Sequence, residues 1–193
     1  MQRKILGAAC ALAALACAPA IAAPQGYVTV GVGSSKVDID CTGTNSCDNT
    51  DTAAKVVAGW EFAKDVAAEV SYNYLGQAKA NVPFDGTNFD VKIRGDYVGL
   101  GLAWRPQFGA TAFGAVVRTG VAFVNTRAEV SDLGSVSHSS THPYFGLGLT
   151  YAIDKNWGVE LAWDRTRIST DDGSGGDDDA TSDAFTLAGT YHF

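Results

Sequence analysis

Beyond residue 22, this 193-residue chain has no uninterrupted apolar run long enough to cross a bilayer as a helix. Such a helix needs about 20 apolar residues. The closest stretch, Thr111 to Val124, is interrupted by Arg118. No segment sustains a 3.6-residue apolar period, which argues against a helical architecture. Basic residues are also scarce, with 14 Lys+Arg against 21 Asp+Glu. That balance excludes nucleic acid as a partner, because its recognition needs a basic stripe. Cysteine is limited to four residues, and neither Cys41 nor Cys47 has a further Cys or His nearby to complete a zinc site.

The N-terminus has its own pattern. Arg3 and Lys4 precede an apolar run from Ile5 to Ala18, and Ala20-Ile21-Ala22 follows as a small-x-small site. This layout predicts a secretory signal over residues 1–22 and a mature domain over residues 23–193. The run is short for a retained membrane anchor. A lipoprotein reading at Cys17 is disfavoured, because Ala14 stands where Leu is usual. Without Arg3 and Lys4 the mature chain carries 12 basic and 21 acidic side chains, a net charge near −9. Two of the four cysteines go with the signal. The remaining pair, Cys41 and Cys47, flanks a polar Thr-Gly-Thr-Asn-Ser segment, and export to an oxidising compartment predicts a disulfide between them.

What the mature chain does have is period-two alternation between turn clusters. Val28, Val30 and Val32 alternate with Thr29, Gly31 and Gly33 in a first segment, Tyr27 to Ile39. Ala54, Val56, Ala58, Trp60 and Phe62 alternate with Lys55, Val57, Gly59 and Glu61 in a second, Thr52 to Ala63. Six more segments follow, ending at Phe185, Leu187, Gly189, Tyr191 and Phe193. Lys64-Asp65, Gln107 to Ala110 (after Arg105-Pro106 closes the fourth segment) and Asp154 to Asn156 are tight turns, and the intervening connections, Pro83 to Asp90 among them, are expected to be polar and generally longer. The predicted fold is all-β: eight antiparallel strands closed as a transmembrane β-barrel. A soluble sandwich would also alternate, but its strands usually average about five or six residues. Within the expected membrane band the apolar face carries no charge, where Lys or Arg would cost about 2–4 kcal/mol. Trp60, Phe62, Trp104, Trp157, Tyr191 and Phe193 cluster at the turn end, as girdle residues would.

Four segments carry a resemblance: Tyr27-Val-Thr-Val-Gly-Val-Gly33, Ala58-Gly-Trp-Glu-Phe62, Ala68-Glu-Val-Ser-Tyr-Asn-Tyr-Leu-Gly76 and Ala184-Phe-Thr-Leu-Ala-Gly-Thr-Tyr-His-Phe193. Together they resemble the small outer-membrane barrels of the OmpA-like/OmpX-like superfamily over nearly the whole mature chain. The resemblance implies the outer membrane of a Gram-negative bacterium. It also implies contact with outer-membrane lipids and lipopolysaccharide, and assembly through the barrel-assembly machinery, for which Tyr191 and Phe193 look like the signal. Larger members carry a periplasmic peptidoglycan-binding domain, and nothing after the barrel pattern resembles one here.

A barrel of eight strands is only wide enough for its own side chains to fill. The inward face should place Glu61, Glu69, Glu160 and Asp164 against Lys55 and Arg118 as a paired network. The alternative is a small channel in which these pairs rearrange, with the carboxylate excess favouring cations, or a path for hydrophobic solutes. The acidic run Thr170 to Asp179 raises a calcium reading through Asp171, Asp177 and Asp179, but its spacing matches no EF-hand loop, and a solvated acidic loop is the plainer expectation. His138-Ser139-Ser140 has a His-x-Ser spacing like that of lipid A deacylases, but no orienting acid is evident nearby and His142 is the other neighbour. The expected role is non-enzymatic and cofactor-free: a monomeric, largely plugged barrel presenting external loops to a host or surface ligand in an adhesin-like manner.

Overall fold

The computed structural model describes residues 26–38, 46–84, 87–130, 134–171 and 177–193. The expected signal over residues 1–22 and Cys41 lie outside them. Nine strands are seen among the described residues. They are β1 (Gly26–Val37), β2 (Ser46–Asp48), β3 (Thr50–Ala63), β4 (Val66–Phe84), β5 (Thr87–Trp104), β6 (Phe113–Val130), β7 (Gly134–Ala152), β8 (Trp157–Asp171) and β9 (Asp177–His192).

Eight of these form one continuous antiparallel ladder, and the pairing of β4 with β5 closes it into a barrel. The ninth, β2, is a three-residue stub paired to the outer part of β4. Closure follows from the chemistry of the surroundings. A sheet in hydrocarbon has no water to satisfy an open edge, so every backbone group must pair within the protein.

The alternation read from the sequence has a physical meaning here that is the reverse of a soluble protein's. Val32, Leu161 and Leu187 are 64%, 57% and 63% exposed, and the neighbouring outward residues are also apolar. The buried side chains on the lumen side include Lys55, Glu69, Arg118, Glu160 and Asp164. Lipid is the solvent for the first face, and the polar core is packed inside. At the turn end, the Trp157 and Tyr191 rings pack at a tilt with centroids 4.9 Å apart, and Tyr191 lies 6.2 Å from Phe193. The Phe193 backbone N–H donates to the Gly26 carbonyl at 3.0 Å.

One irregularity is built into the wall. Between Tyr74 and Gln77, β4 carries one residue more than β5 opposite it. Gly76 sits in this bulge with φ of +78°, a left-handed conformation that glycine adopts without the Cβ penalty. The Asp51 carboxylate accepts from the Gln77 backbone N–H at 2.7 Å, and the Ser35 hydroxyl donates to the Leu75 carbonyl.

The connections at the end opposite the turns differ from expectation. Pro83 to Asp90 is not a loop. β4 runs to Phe84, β5 starts at Thr87, and Phe84 pairs with Thr87. His138-Ser139-Ser140 lies within β7 rather than on a loop rim. Most of the acidic run is also strand, with Asp171 opposite Asp177 and Asp179 opposite Ser169. The physical reason is the same in each case. Strands that have left the membrane can keep pairing with each other, and out in water they need no apolar face to do so. The strands of 14–19 residues from β3 to β9 exceed the 9–11 needed to span a bilayer, so they project as paired arms.

The lumen charge cluster as candidate functional site

Six charged side chains from four strands and one turn meet inside the barrel. Arg118 on β6 binds Glu160 on β8 with both terminal nitrogens, Nη1 to Oε1 at 2.8 Å and Nη2 to Oε2 at 2.9 Å. Its Nε donates to Glu69 on β4 at 2.8 Å. Lys55 on β3 donates to Asp164 at 2.9 Å and to Glu160 at 3.3 Å. Arg105, just past β5, reaches Glu160 at 3.3 Å and Glu69 at 3.8 Å. Three cations thus face three carboxylates, and the cluster as a whole is neutral.

Each partner is placed by strand parity. Inward positions recur every second residue, so β6 presents Val116, Arg118 and Gly120 on the face that meets Glu160 and Asp164 of β8. Tyr27 completes the cluster. Its hydroxyl donates to Glu69, and its ring lies 4.5 Å below the Arg105 guanidinium. Gly59 leaves room for that ring, since a Cβ there would run into Tyr27.

Of the residues expected in this network, Lys55, Glu69, Arg118, Glu160 and Asp164 come together. Glu61 does not. It is inward-facing, but it lies nearer the turn end and makes no ion pair among the described residues. Arg105 is the member that sequence reading missed. It continues the inward parity of Gly101 and Ala103, but with Pro106 directly after it the sequence reads it as the close of the strand rather than as a lumen residue.

The lumen has a different character on each side of this cluster. Toward the turn end lies a vestibule of about 330 Å³, lined by Glu61, Arg105, Lys155 and His192 among others. Toward the projecting arms lies an apolar layer made by Leu75, Tyr97, Val124, Tyr144 and Ile168 with Ala53, Ala122 and Ala184. Ala53, Leu75, Val124 and Ile168 each lie on a strand with a cluster member and nearer its arm end, so the two layers are stacked along the barrel axis. Around the apolar layer the hydroxyls of Thr126, Ser140, Tyr144, Ser182 and Thr186 are buried with no hydrogen-bond partner among the described residues.

The other candidate residues are placed as follows. His138 and Ser140 occupy alternate positions of β7, and the Ser139 hydroxyl donates to Asn125 at 2.7 Å. Asp171, Asp177 and Asp179 are fixed only in backbone register, and their side chains lie outside the described residues. The same holds for the Cys47 side chain, whose backbone pairs with Ala80.

A closed antiparallel barrel with an apolar exterior and a charge-filled interior defines a membrane-spanning protein of the outer-membrane type. The chain belongs to the outer membrane protein beta-barrel domain family, whose model matches residues 8–193. No curated protein matches it in sequence. Among solved structures it is similar to Ail of Yersinia pestis, the attachment invasion locus protein, crystallised with the heparin analogue sucrose octasulfate. That match has 18% identity and a TM-score of 0.56, covering 88% of this chain and 99% of the other. It is also similar to Neisserial surface protein A, at 12% identity and a TM-score of 0.57, covering 87% and 97%. A third is the outer membrane protein OprG from Pseudomonas aeruginosa, at 16% and 0.52, covering 88% and 94%. At these identities the likeness is one of fold.

Proposed function

We propose that this protein is a non-enzymatic outer-membrane barrel whose lumen is closed by its own side chains and whose function lies in the projecting strand arms. The observation that carries this reading is the fully buried, bidentate Arg118–Glu160 pair, backed by the apolar layer beside it. The ion pairs and the apolar layer together fill the bore that solute would have to cross. The arms then provide the accessible surface, in an adhesin-like role toward a host or environmental ligand. Ail, similar in fold, was crystallised with a sulfated heparin analogue, which supports testing sulfated glycans first.

In this reading residues 1–22 are removed on export, the tight turns and the strand ends at Gly26 and Phe193 face the periplasm, and Cys41 and Cys47 form a disulfide. The barrel is monomeric, and Tyr191 and Phe193 are read by the assembly machinery. The experiment is adhesion of cells displaying the parent chain, or a variant whose β4–β5 arm is shortened by removing residues 79–92, to a heparin-coated surface. Loss of adhesion with the barrel still folded supports presentation by that arm. Adhesion by neither chain removes sulfated glycan as the ligand, and undiminished adhesion by the trimmed chain removes this arm.

A second reading, a small cation-preferring or hydrophobic-solute channel, is favoured by the vestibule and by the buried, unpartnered hydroxyls beyond the charge cluster. An enzyme acting on lipid A through His138 is a distant third, and unchanged lipid A in a His138→Ala strain removes it.

A further inference from the structure

Two arginines stand directly opposite each other on the outer wall. Arg94 of β5 is the register partner of Arg127 of β6, and both side chains are exposed. They share the outward face with Leu100 and Val121, then Val98 and Phe123, then Asp96 and Asn125, which are successive pairs of the same ladder. Opposed residues on one face of an antiparallel pair have Cβ atoms about 4.5–5.5 Å apart, and like charges there repel. Among the described residues no ion pair offsets that repulsion. The flanking register partners are neutral, Gln77 on β4 and Ser137 on β7. Of the two acids one alternate position away on this face, Asp96 makes no ion pair with either arginine, and Glu129 has Lys92 as its register partner. The other exposed outward arginine at this end with a described partner, Arg165, is neutralised by Asp183 at 2.7 Å.

Height along the wall suggests what the pair is for. Val98 and Phe123 are the last apolar pair before the arms. Two alternating steps of about 6.7 Å each, tilted by about 40°, put the arginines roughly 10 Å beyond it. Interfacial layers add about 5–8 Å on each side of the hydrocarbon core, and an arginine's methylene stem can bridge the remainder. The pair therefore sits where phosphorylated headgroups lie. A phosphate presents oxygens to two guanidinium forks at once, which turns a repulsive pair into a chelating one.

We propose that Arg94 and Arg127 form a binding site for the phosphate of an outer-leaflet phosphoglycolipid, with one phosphate group bridging the two side chains. The proposal rests on the orientation stated above, with the arms outside the cell, and it names the lipid contact of that surface.

The test uses the refolded barrel in maltoside micelles, which carry no phosphate. Bis-phosphorylated lipid A, dephosphorylated lipid A and inorganic phosphate are added in parallel, and thermal unfolding and lipid retention are followed. Bis-phosphorylated lipid A is expected to stabilise the parent. Arg94→Gln with Arg127→Gln should weaken its binding about tenfold or more, while Arg165→Gln leaves it nearly unchanged. A sign change is also expected. Arg127→Gln should raise the unfolding midpoint slightly in lipid-free micelles, by removing repulsion, and lower it when bis-phosphorylated lipid A is present. Equal stabilisation by dephosphorylated lipid A, equal binding by the double variant, or an effect reproduced by inorganic phosphate alone would each overturn the proposal. Orientation is checked separately, by labelling Asn88→Cys, at the tip of the β4–β5 arm, on intact cells in a Cys41→Ser, Cys47→Ser background. Labelling with no lipid A effect defeats the site alone, and absence of labelling defeats the orientation.

Discussion

Arg118 and Glu160 are 42 positions apart in the chain, yet they meet fork to fork across the lumen at 2.8 and 2.9 Å. Neither group has water as an alternative partner, since their side chains are 3% and 0% exposed. The interior is stable only while its charges balance, and each variant there should be judged by the imbalance it leaves.

Arg118→Ala leaves Glu160 and Glu69 without their main cation, and it should destabilise the barrel by about 3–5 kcal/mol. Arg118→Met combined with Glu160→Leu removes one charge of each sign and keeps Lys55 with Asp164 and Arg105 with Glu69. It should cost clearly less than Arg118→Ala alone. Urea unfolding in lipid vesicles measures both, and a double variant as unstable as the single one would contradict the balance argument.

Gly59→Ala places a methyl group against the Tyr27 ring. Overpacking of this kind costs about 1–3 kcal/mol. The two positions should be coupled, so that Gly59→Ala costs less in a Tyr27→Ala background. Additive effects in the four-member cycle would mean that the glycine serves something other than the ring.

The sequence made some of this legible and hid the rest for identifiable reasons. The wall was readable because lipid imposes an apolar residue at every second position, as in Val98, Leu100 and Leu102. The inward charges were readable by the same parity, which is why Lys55, Glu69, Arg118, Glu160 and Asp164 emerge together. Parity says nothing of depth, so Glu61 was grouped with residues lying further from the mouth. Arg105 was hidden by Pro106, which ends the β pattern one residue after it. The arms were hidden because water on both faces imposes no alternation. Pro83 to Asp90 and the acidic run have the composition of loops while their backbones pair as strands.

The turn before β8 offers a pH test away from the membrane. The Asp154 carboxylate accepts from the backbone N–H groups of Asn156 and Trp157, each at 2.8 Å, and these bonds hold its pKa below the ordinary aspartate value. A group with a depressed folded pKa stabilises the fold above its unfolded value, about 3.9, and loses that contribution as the pH falls through the folded value. Asp154→Ala should therefore lower the unfolding midpoint at neutral pH, and the gap from the parent should narrow on acidification below about pH 4. A gap that widens in acid would reverse the assigned sign.

The claim that the lumen is closed is tested most directly by conductance. In the proposed reading the charge cluster and the Tyr97–Tyr144 layer both block the bore, so residues 23–193, refolded and inserted into planar bilayers, should give no resolvable channels. Arg118→Ala measured alongside opens only the first of these and should remain silent or nearly so. Reproducible cation-selective openings in the parent, altered in size or lifetime by Arg118→Ala, would contradict the account and make transport through the lumen the function of this barrel.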